Sequence, residues 1–432
     1  MNSRFKLFSD PVHGFVSVPK GLVMDLVQRP EVQRLRRIRQ LGVGHLVFPG
    51  AEHTRFNHAL GAMALMQDAL SSLAEKGTRV LREEHTAALV AALLYDVGHG
   101  PFSHSLEHTL IRDFEHEAMS RAILVHLRDE LGGGPLALAL RMFDDEYERP
   151  FFHQLVSSQL DMDRLDYLRR DAFFTGVAEG EVGVERIIKT LRVHPPEDAG
   201  RVVVEAKSIY AVENFIIARR LMYWQVYLHK TVLAGDQVLR AAFRRARWHL
   251  RHGRSEPLEG VSPDLLFFLN NDIRGDQVVD PEVRERFCRL DDTDVLFTLK
   301  QWLHSSDAIL ADLARRFVHR DFFRVTFLDE PASKENLEAW RSRVADWLAR
   351  EGLSPGKEQA REDAEFYVRS ARSRHSAYQR SREAIGILER DGSVRELSDT
   401  ADTANVAEVA ESVVKPYVFY PKGVELEIDG VA

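Results

Sequence analysis

Apolar residues recur at helical spacing along most of the chain. One stripe consists of Leu60, Met63, Ala64, Ala69 and Leu70, and a second consists of Leu89, Ala92 and Leu93 and is continued by Asp96. Strand-like stretches are short and few, at residues 14–18, 201–206, 323–327 and 417–420. A dominant period near 3.6 residues with few alternating runs is typical of helical proteins. The pattern predicts a mainly α fold with small β additions.

Clusters of helix-breaking residues such as glycine and proline divide the chain into a long body and a C-terminal extension. Residues 1–330 read as one continuous helical core. Residues 331–432 are predicted to form a C-terminal α+β extension with a charged amphipathic helix over 331–351, a polar Arg/Glu-rich segment over 357–385 and an aromatic strand-like piece within 410–430. We expect the polar segment to be a solvated helix or a mobile stretch, because its charges leave little apolar surface to bury.

Composition narrows the function classes. A net charge of −8 argues against a general nucleic-acid-coating role, since phosphate backbones require a basic face. Cys288 is the only cysteine, which fits a reducing compartment. No signal-like apolar stretch follows Met1, and no apolar run approaches the about 20 residues that cross a bilayer. We therefore expect a cytoplasmic protein with no membrane partner.

Four separated segments carry polar residues that are hard to explain as ordinary surface. They are residues 53–58, residues 95–104 with Glu107, residues 115–117 and residues 163–171. Asp96 comes just after the apolar run 91–94, so its carboxylate is predicted to be buried and to need a cation or several donors nearby. Histidine and aspartate ligands from separate helices can converge on one divalent metal.

Two predicted helix faces carry further charged and tyrosine residues. Asp163, Tyr167, Arg170 and Asp171 recur at i, i+4, i+7 and i+8. Arg219, Tyr223 and Tyr227 repeat the four-residue spacing on another helix. One such face is suited to hold a metal carboxylate at one end and a sugar-stacking tyrosine at the other.

At these residues the chain resembles the HD-domain superfamily. Within that superfamily it is similar to the dNTP triphosphohydrolases, which include bacterial dGTPase-like enzymes and the sterile-alpha-motif and HD-domain protein. The similarity covers roughly the first half of the chain, through Asp10-Pro-Val-His13-Gly14, residues 33–42, residues 47–50, Arg55-Phe-Asn-His58, residues 98–104, residues 163–171 and residues 219–230. Many ordered motifs make a stronger signal than a lone His-Asp pair.

The resemblance implies a metal centre and its catalytic neighbours. His58, Asp96 and Asp163 match three ligands of a divalent metal, for which Mn, Mg and Fe are the candidates. Tyr95 occupies the fourth ligand position, where the family carries His. His99, His104, Glu107 and His116 match positions that line the catalytic centre.

The resemblance also implies a substrate, dNTP, and the residues that bind it. Arg55, Arg164, Tyr167, Asp171, Arg219, Tyr223 and Tyr227 match positions around the triphosphate and sugar, and Gln40 and Leu41 match positions beside the base and sugar. The expected reaction is metal-dependent hydrolysis of a deoxynucleoside triphosphate to a deoxynucleoside and inorganic triphosphate. Lys6 and Arg36 match two positions that bind an activating nucleotide in the related enzymes, which form homodimers or homotetramers.

Tyr95 leaves open how the site binds metal and whether it catalyses this reaction. A neutral phenol, with a reference pKa near 10, is a poorer metal ligand than imidazole. The phenol either ligates as a phenolate, leaves room for water, or marks a site that binds metal weakly. The alternative functions are a different HD phosphohydrolase acting on another nucleotide or phosphate ester, and a catalytically weak or silent dNTP-binding regulator.

Overall fold

The computed structural model describes residues 4–196, 199–375, 378, 384–400 and 413–428. Helices dominate these residues and the strands form three small sheets, so the predicted mainly α fold is confirmed. None of the described helices combines the length and the apolar character needed to cross a membrane.

The first half of the chain supplies the helices around the predicted metal ligands. They are α1 (Leu22–Val27), α2 (Pro30–Gln33), α3 (Arg55–Glu75), α4 (Arg82–Leu94), α5 (Glu107–Leu110), α6 (His116–Leu131), α7 (Pro135–Phe143), α8 (Phe151–Val156), α9 (Met162–Thr175) and α10 (Val184–Thr190). Helix α3 packs against both α4 and α9, which brings the first turns of α3 and α9 to the end of α4. That meeting point is the predicted site.

The second half continues the helical body. Its helices are α11 (Ile209–Met222), α12 (Lys230–Arg251), α13 (Pro263–Asn270), α14 (Pro281–Phe287), α15 (Asp292–Trp302), α16 (Ala308–Val318), α17 (Lys334–Arg350), α18 (Lys357–Asp363) and α19 (Leu397–Thr400). A π-helical turn, Tyr223–Tyr227, extends α11. Such turns are rare and often mark functional sites, because they re-aim side chains on the same helix.

Nine strands complete the described fold. They are β1 (Phe5–Asp10), β2 (Gly14–Pro19), β3 (Leu191–His194), β4 (Arg201–Glu205), β5 (Arg324–Phe327), β6 (Arg369–His375), β7 (Gly386–Leu388), β8 (Val394–Glu396) and β9 (Val413–Tyr420). Strands β1 and β2 form an antiparallel hairpin, with Asp10 opposite Gly14. The other sheets have the orders β3-β4-β7-β8 and β5-β9-β6. All four predicted strand stretches are therefore confirmed, within one or a few residues at their ends.

The C-terminal region differs from the expectation in one segment. The charged helix predicted over 331–351 is confirmed as α17. Residues 369–375, predicted to be solvated helix or mobile, instead form β6, because β9 offers an apolar strand with which they pair in antiparallel register. Residues 376–377, 379–383, 410–412 and 429–430 of the predicted segments lie outside the described residues. The division at residue 330 stays a prediction.

Helix α3 owes its position to two local features. Thr54 caps its first turn, donating its backbone N–H to Oδ1 of Asn57 over 3.2 Å. Gly61 lies against α9, where an added Cβ would stand 1.9 Å from Oδ1 of Asp166. Glycine is therefore required at this crossing. The close approach of the two helices lets His58, one turn before Gly61, reach the acidic residues of α9.

Candidate active site

Three side chains from three helices meet at one point. His58 lies in the first turn of α3, Asp96 follows the end of α4, and Asp163 lies in the first turn of α9. Each offers a ligand atom, and these atoms lie within 4.8 Å of one another. His58 Nε2 is 2.8 Å from Oδ1 of Asp163 and 3.4 Å from Oδ2 of Asp96. One imidazole and two carboxylates are a donor set that fits a divalent cation.

The electrostatics of this point also fit a cation. His58 is 1% exposed, and burial alone would lower its pKa. Hydrogen bonding to Asp163, Asp166 and Asp96 instead raises the pKa of His58 well above its usual value. The negative potential that holds a proton there equally favours a metal ion, which competes with that proton for the imidazole.

Tyr95 contacts Ser157 and Phe143. The hydroxyl lies 3.0 Å from Oγ of Ser157, and the ring packs against Phe143 at a centroid distance of 5.5 Å. Burial, with a smaller contribution from Asp163, raises the pKa of Tyr95 above its usual value. Both observations favour a neutral phenol bound to Ser157 over a phenolate ligand.

Asp96 contacts both His58 of the candidate metal site and Arg55 beside it. Its Oδ2 accepts a hydrogen bond from Nη1 of Arg55 over 2.5 Å. Burial would raise the pKa of Asp96, but His99, Arg55 and His58 hold it well below its usual value. The carboxylate is thus charged and paired, as a buried ligand must be.

Glu107 orients two histidines of a three-imidazole cluster. Its carboxylate lies 2.7 Å from Nδ1 of His104 and 3.1 Å from Nδ1 of His116. The rings of His99 and His116 have centroids 3.7 Å apart. Burial would raise the pKa of Glu107, but its hydrogen bonds from His104 and His116 lower it below the usual range.

The histidines of this cluster differ in charge preference. Burial would lower the pKa of His116, but Glu107 and Asp96 raise it above its usual value. Burial, Arg55 and His116 lower the pKa of His99 well below its usual value. The arrangement therefore presents one imidazole that favours the protonated form beside one that favours the neutral form.

The predicted substrate-binding residues line a single cavity of about 450 Å³. Its walls include Gln40, Leu41, Arg55, Tyr95, Asp96, His99, His104, His116, Asp163, Arg164, Tyr167, Asp171, Arg219, Tyr223 and Tyr227. Residues far apart in sequence are thus brought to one place, although their individual roles stay predictions. Lys6 and Arg36 lie elsewhere, both exposed, with the Arg36 guanidinium 3.6 Å from the Phe56 ring centroid.

Asp171 anchors the tyrosine side of the cavity. It is 1% exposed and accepts a hydrogen bond from the Tyr227 hydroxyl over 2.7 Å. Its other oxygen lies 2.7 Å from Nε2 of His53. The π-helical turn places the rings of Tyr223 and Tyr227 5.0 Å apart in an edge-on arrangement.

Two histidines outside the predicted set of site residues contact carboxylates of α9. His53 is buried against Asp171 and stacks on Phe174 with centroids 4.5 Å apart. His13, in the turn between β1 and β2, lies 2.5 Å from Asp166. The signal that could have found both was the shortage of partners for Asp166 and Asp171 on the polar face of α9.

Comparison with known proteins identifies the relatives of this fold. The HD associated region family model matches residues 182–258. The uncharacterized protein YwfO of Bacillus subtilis is 36% identical over 330 residues, which cover 74% of this chain and 72% of YwfO. A solved structure of a phosphohydrolase from Bacteroides thetaiotaomicron is 40% identical, with a TM-score of 0.88 and coverage of 96% of this chain and 99% of that one.

A more distant relative carries a named activity. Deoxynucleoside triphosphate triphosphohydrolase SAMHD1 of Danio rerio is 24% identical over 384 residues, which cover 79% of this chain. The chain matches only 58% of the length of that relative. Together with the convergent His and Asp side chains, these similarities show that the chain belongs to the HD-domain phosphohydrolases, in the branch related to the deoxynucleoside triphosphate triphosphohydrolases.

Proposed function

We propose that this protein hydrolyses deoxynucleoside triphosphates to a deoxynucleoside and inorganic triphosphate, with a divalent metal at His58, Asp96 and Asp163. The observation that carries the proposal is a cavity lined by three arginines, four tyrosines and two of the three candidate metal ligands, Asp96 and Asp163. A phosphate monoester would need fewer cationic groups than Arg55, Arg164 and Arg219 provide.

The arginines are positioned by neighbours before any substrate arrives. Arg55 donates to Ser103 Oγ over 2.8 Å as well as to Asp96. Arg164 Nε lies 3.2 Å from Oδ2 of Asp161. Preorganised cations offset the negative charge of a polyphosphate at low reorganisation cost, so binding and transition-state stabilisation both benefit.

The hydrolysis needs a nucleophile and a proton for the leaving group. A divalent metal in this site supplies Lewis-acid polarisation of phosphate oxygens and lowers the pKa of nearby water. Water oxygen bonds to the α-phosphorus while the bond from that phosphorus to the 5′ oxygen breaks. His116, held by Glu107, donates the proton that the 5′ oxygen takes up, and triphosphate leaves with the oxygen from water. Of the two protons of that water, one returns to His116 through solvent and the other stays with the triphosphate.

The tyrosines account for the preference for deoxyribose. Tyr167 and Tyr227 meet edge-on with centroids 6.3 Å apart, and Asp171 fixes the Tyr227 hydroxyl. A ring held in this way against a sugar leaves little space at C2′, whereas a 2′-hydroxyl requires room and a partner.

Product analysis tests the proposal. The full chain is stripped of metal with a chelator, reloaded with Mg²⁺, Mn²⁺ or Fe²⁺, and incubated with each dNTP singly and with all four together. Ion-pair chromatography should show deoxynucleoside and triphosphate only in the reloaded samples. Monophosphate with pyrophosphate, or turnover of monophosphates alone, would replace the proposal with another HD phosphohydrolase. Nucleotide binding without turnover under every condition would replace it with a silent dNTP-binding regulator.

The acid role of His116 predicts a pH dependence. Its folded pKa is raised above about 6.5, so the protonated acid is present below that folded value and is lost as pH rises through it. We expect kcat to fall on the alkaline side. Glu107→Gln removes the carboxylate that raises this pKa and should move the alkaline limb to lower pH. Pre-steady-state product formation across pH measures the shift, and an unmoved limb would remove His116 from the acid role.

A further inference from the structure

The turn of the N-terminal hairpin contacts Asp166, the hydrogen-bond partner of the candidate metal ligand His58. Strands β1 and β2 are joined through Asp10-Pro-Val-His13-Gly14, and Oδ1 of Asp10 accepts the backbone N–H groups of Val12 and His13, each over 2.9 Å. This fixes the turn and directs the His13 side chain inward, where it is only 8% exposed. Nε2 of His13 then lies 2.5 Å from Oδ1 of Asp166 on α9.

Asp166 connects that turn to His58. Its Oδ2 lies 2.7 Å from Nδ1 of His58, so the opposite ring nitrogen, Nε2, faces Asp96 and Asp163. A histidine that binds metal through Nε2 carries its proton on Nδ1 and donates it to Asp166. The carboxylate therefore sets both the tautomer and the ring angle of this metal ligand.

Arg170 closes the network from the other side. Its Nε and Nη2 donate to the two oxygens of Asp166 over 2.9 and 3.0 Å, and its Nη1 donates to Oδ2 of Asp10 over 2.8 Å. Asp166 thus receives one imidazole and one guanidinium N–H on each oxygen. With Asp166 and Arg170 fully buried and Gly61 closing the space above them, the carboxylate has no alternative place to turn.

We propose that His13 and Asp10 are positioning residues for the metal ligand His58, so that the N-terminal hairpin is an outer support of the metal centre. The inference rests on the metal centre of the proposed function and is independent of its nucleotide substrate. His13 acts on one oxygen of Asp166 and His58 on the other. Withdrawing the His13 donor leaves Oδ1 of Asp166 with Arg170 as its one remaining donor among those described above, which weakens the restraint on the carboxylate and, through it, on the His58 ring.

A pair of substitutions separates this role from general stability. Gln places an amide nitrogen near the position of histidine Nε2, whereas Asn is one methylene shorter and withdraws the donor. His13→Gln and His13→Asn thus differ mainly in reach. Val18→Ala is the matched control, because Val18 is a buried residue of the same hairpin with an apolar side chain that cannot contact the carboxylate by a hydrogen bond.

Metal affinity is the first readout, measured without nucleotide. The metal-free full chain is titrated with Mn²⁺, and unbound Mn²⁺ is followed by electron paramagnetic resonance. We expect His13→Asn to weaken Mn²⁺ binding by about tenfold, the lower end of the effect of losing an outer-shell partner, because His13 acts on His58 through Asp166. His13→Gln should recover most of the affinity, and Val18→Ala should lower the melting temperature with affinity unchanged. Equal affinities for wild type and a folded His13→Asn would overturn the proposal.

A second readout covers the case in which His13→Asn does not fold. Ring ¹⁵N–¹H spectra of histidine-labelled wild type and His13→Gln should show a protonated, exchange-protected Nδ1 on His58, assigned with His58→Gln. An unprotonated or rapidly exchanging Nδ1 would also overturn the proposal. Neither readout uses dNTP turnover, so a failure of the proposed reaction is recognised separately.

Discussion

Asp96→Asn should abolish turnover while the protein stays folded. The substitution keeps the shape of the side chain but removes the charge that faces both His58 and Arg55. It weakens a metal ligand and leaves a buried guanidinium without its counter-ion, which costs about 3–5 kcal/mol where a buried pair is broken. That cost applies to folding; the rate falls for a separate reason, because the substitution weakens the binding of the metal on which the proposed reaction depends. We expect kcat to fall by at least about a thousandfold, which corresponds to about 4 kcal/mol in the activation barrier.

For wild type and each variant, the experiment measures the initial rate at saturating Mn²⁺ and the thermal unfolding of the same sample. Asp144→Asn is the matched control, because Asp144 also pairs with an arginine, Arg121, but lies outside the cavity lining. The control should retain the wild-type rate. If Asp96→Asn kept even a tenth of the wild-type rate with its fold intact, the reaction would not depend on this centre.

Tyr95→His should strengthen metal binding far more than it changes the rate. The phenol bonds to Ser157 and favours its neutral form, so the structure provides three ligands and no phenolate. An imidazole in this position adds a fourth ligand, and a second nitrogen donor, beside Asp96. We expect the Kd for Mn²⁺ to fall by at least about tenfold, because even an outer-shell change has effects of that size. At saturating Mn²⁺, kcat should change little.

Tyr95→Phe is the matched control for this substitution. It removes only the hydroxyl that bonds to Ser157, so metal affinity and kcat should stay near the wild-type values. A large loss in Tyr95→Phe would mean that the phenol itself takes part in the site. A large gain of kcat in Tyr95→His at saturating metal would favour the alternative in which the natural protein is a weak or silent regulator.

The helices could be predicted from the sequence because helical periodicity is a local property of the chain. Apolar residues at helical spacing predicted the mainly α fold, and alternating stretches marked four of the strands. The charged helix α17 followed from the same periodicity. Strand β6 was missed because its polar residues become a strand only when β9 offers backbone groups to pair with, about forty residues later along the chain.

The site shows the same division between local and long-range causes. The polar residue types of the site segments and the spacing along α9 were visible in the sequence, whereas the grouping of His58, Asp96 and Asp163 as one centre came from the resemblance to the HD-domain superfamily. The orientation of Tyr95 could not, because it depends on Ser157 in the loop before α9. The partner of His13 depends likewise on the packing of the hairpin against α9.

By itself the sequence determined the helical class and the residue types available for the site, since periodicity and residue type act over a few neighbouring positions. The ordered motifs along its first half carried the resemblance to a family. Only the tertiary structure decided which donors share a carboxylate. Asp166 binds His13, His58 and Arg170 at once because the crossing of α3 and α9 at Gly61 buries its charge completely, and a buried charge requires hydrogen-bond partners from whichever segments pack against it.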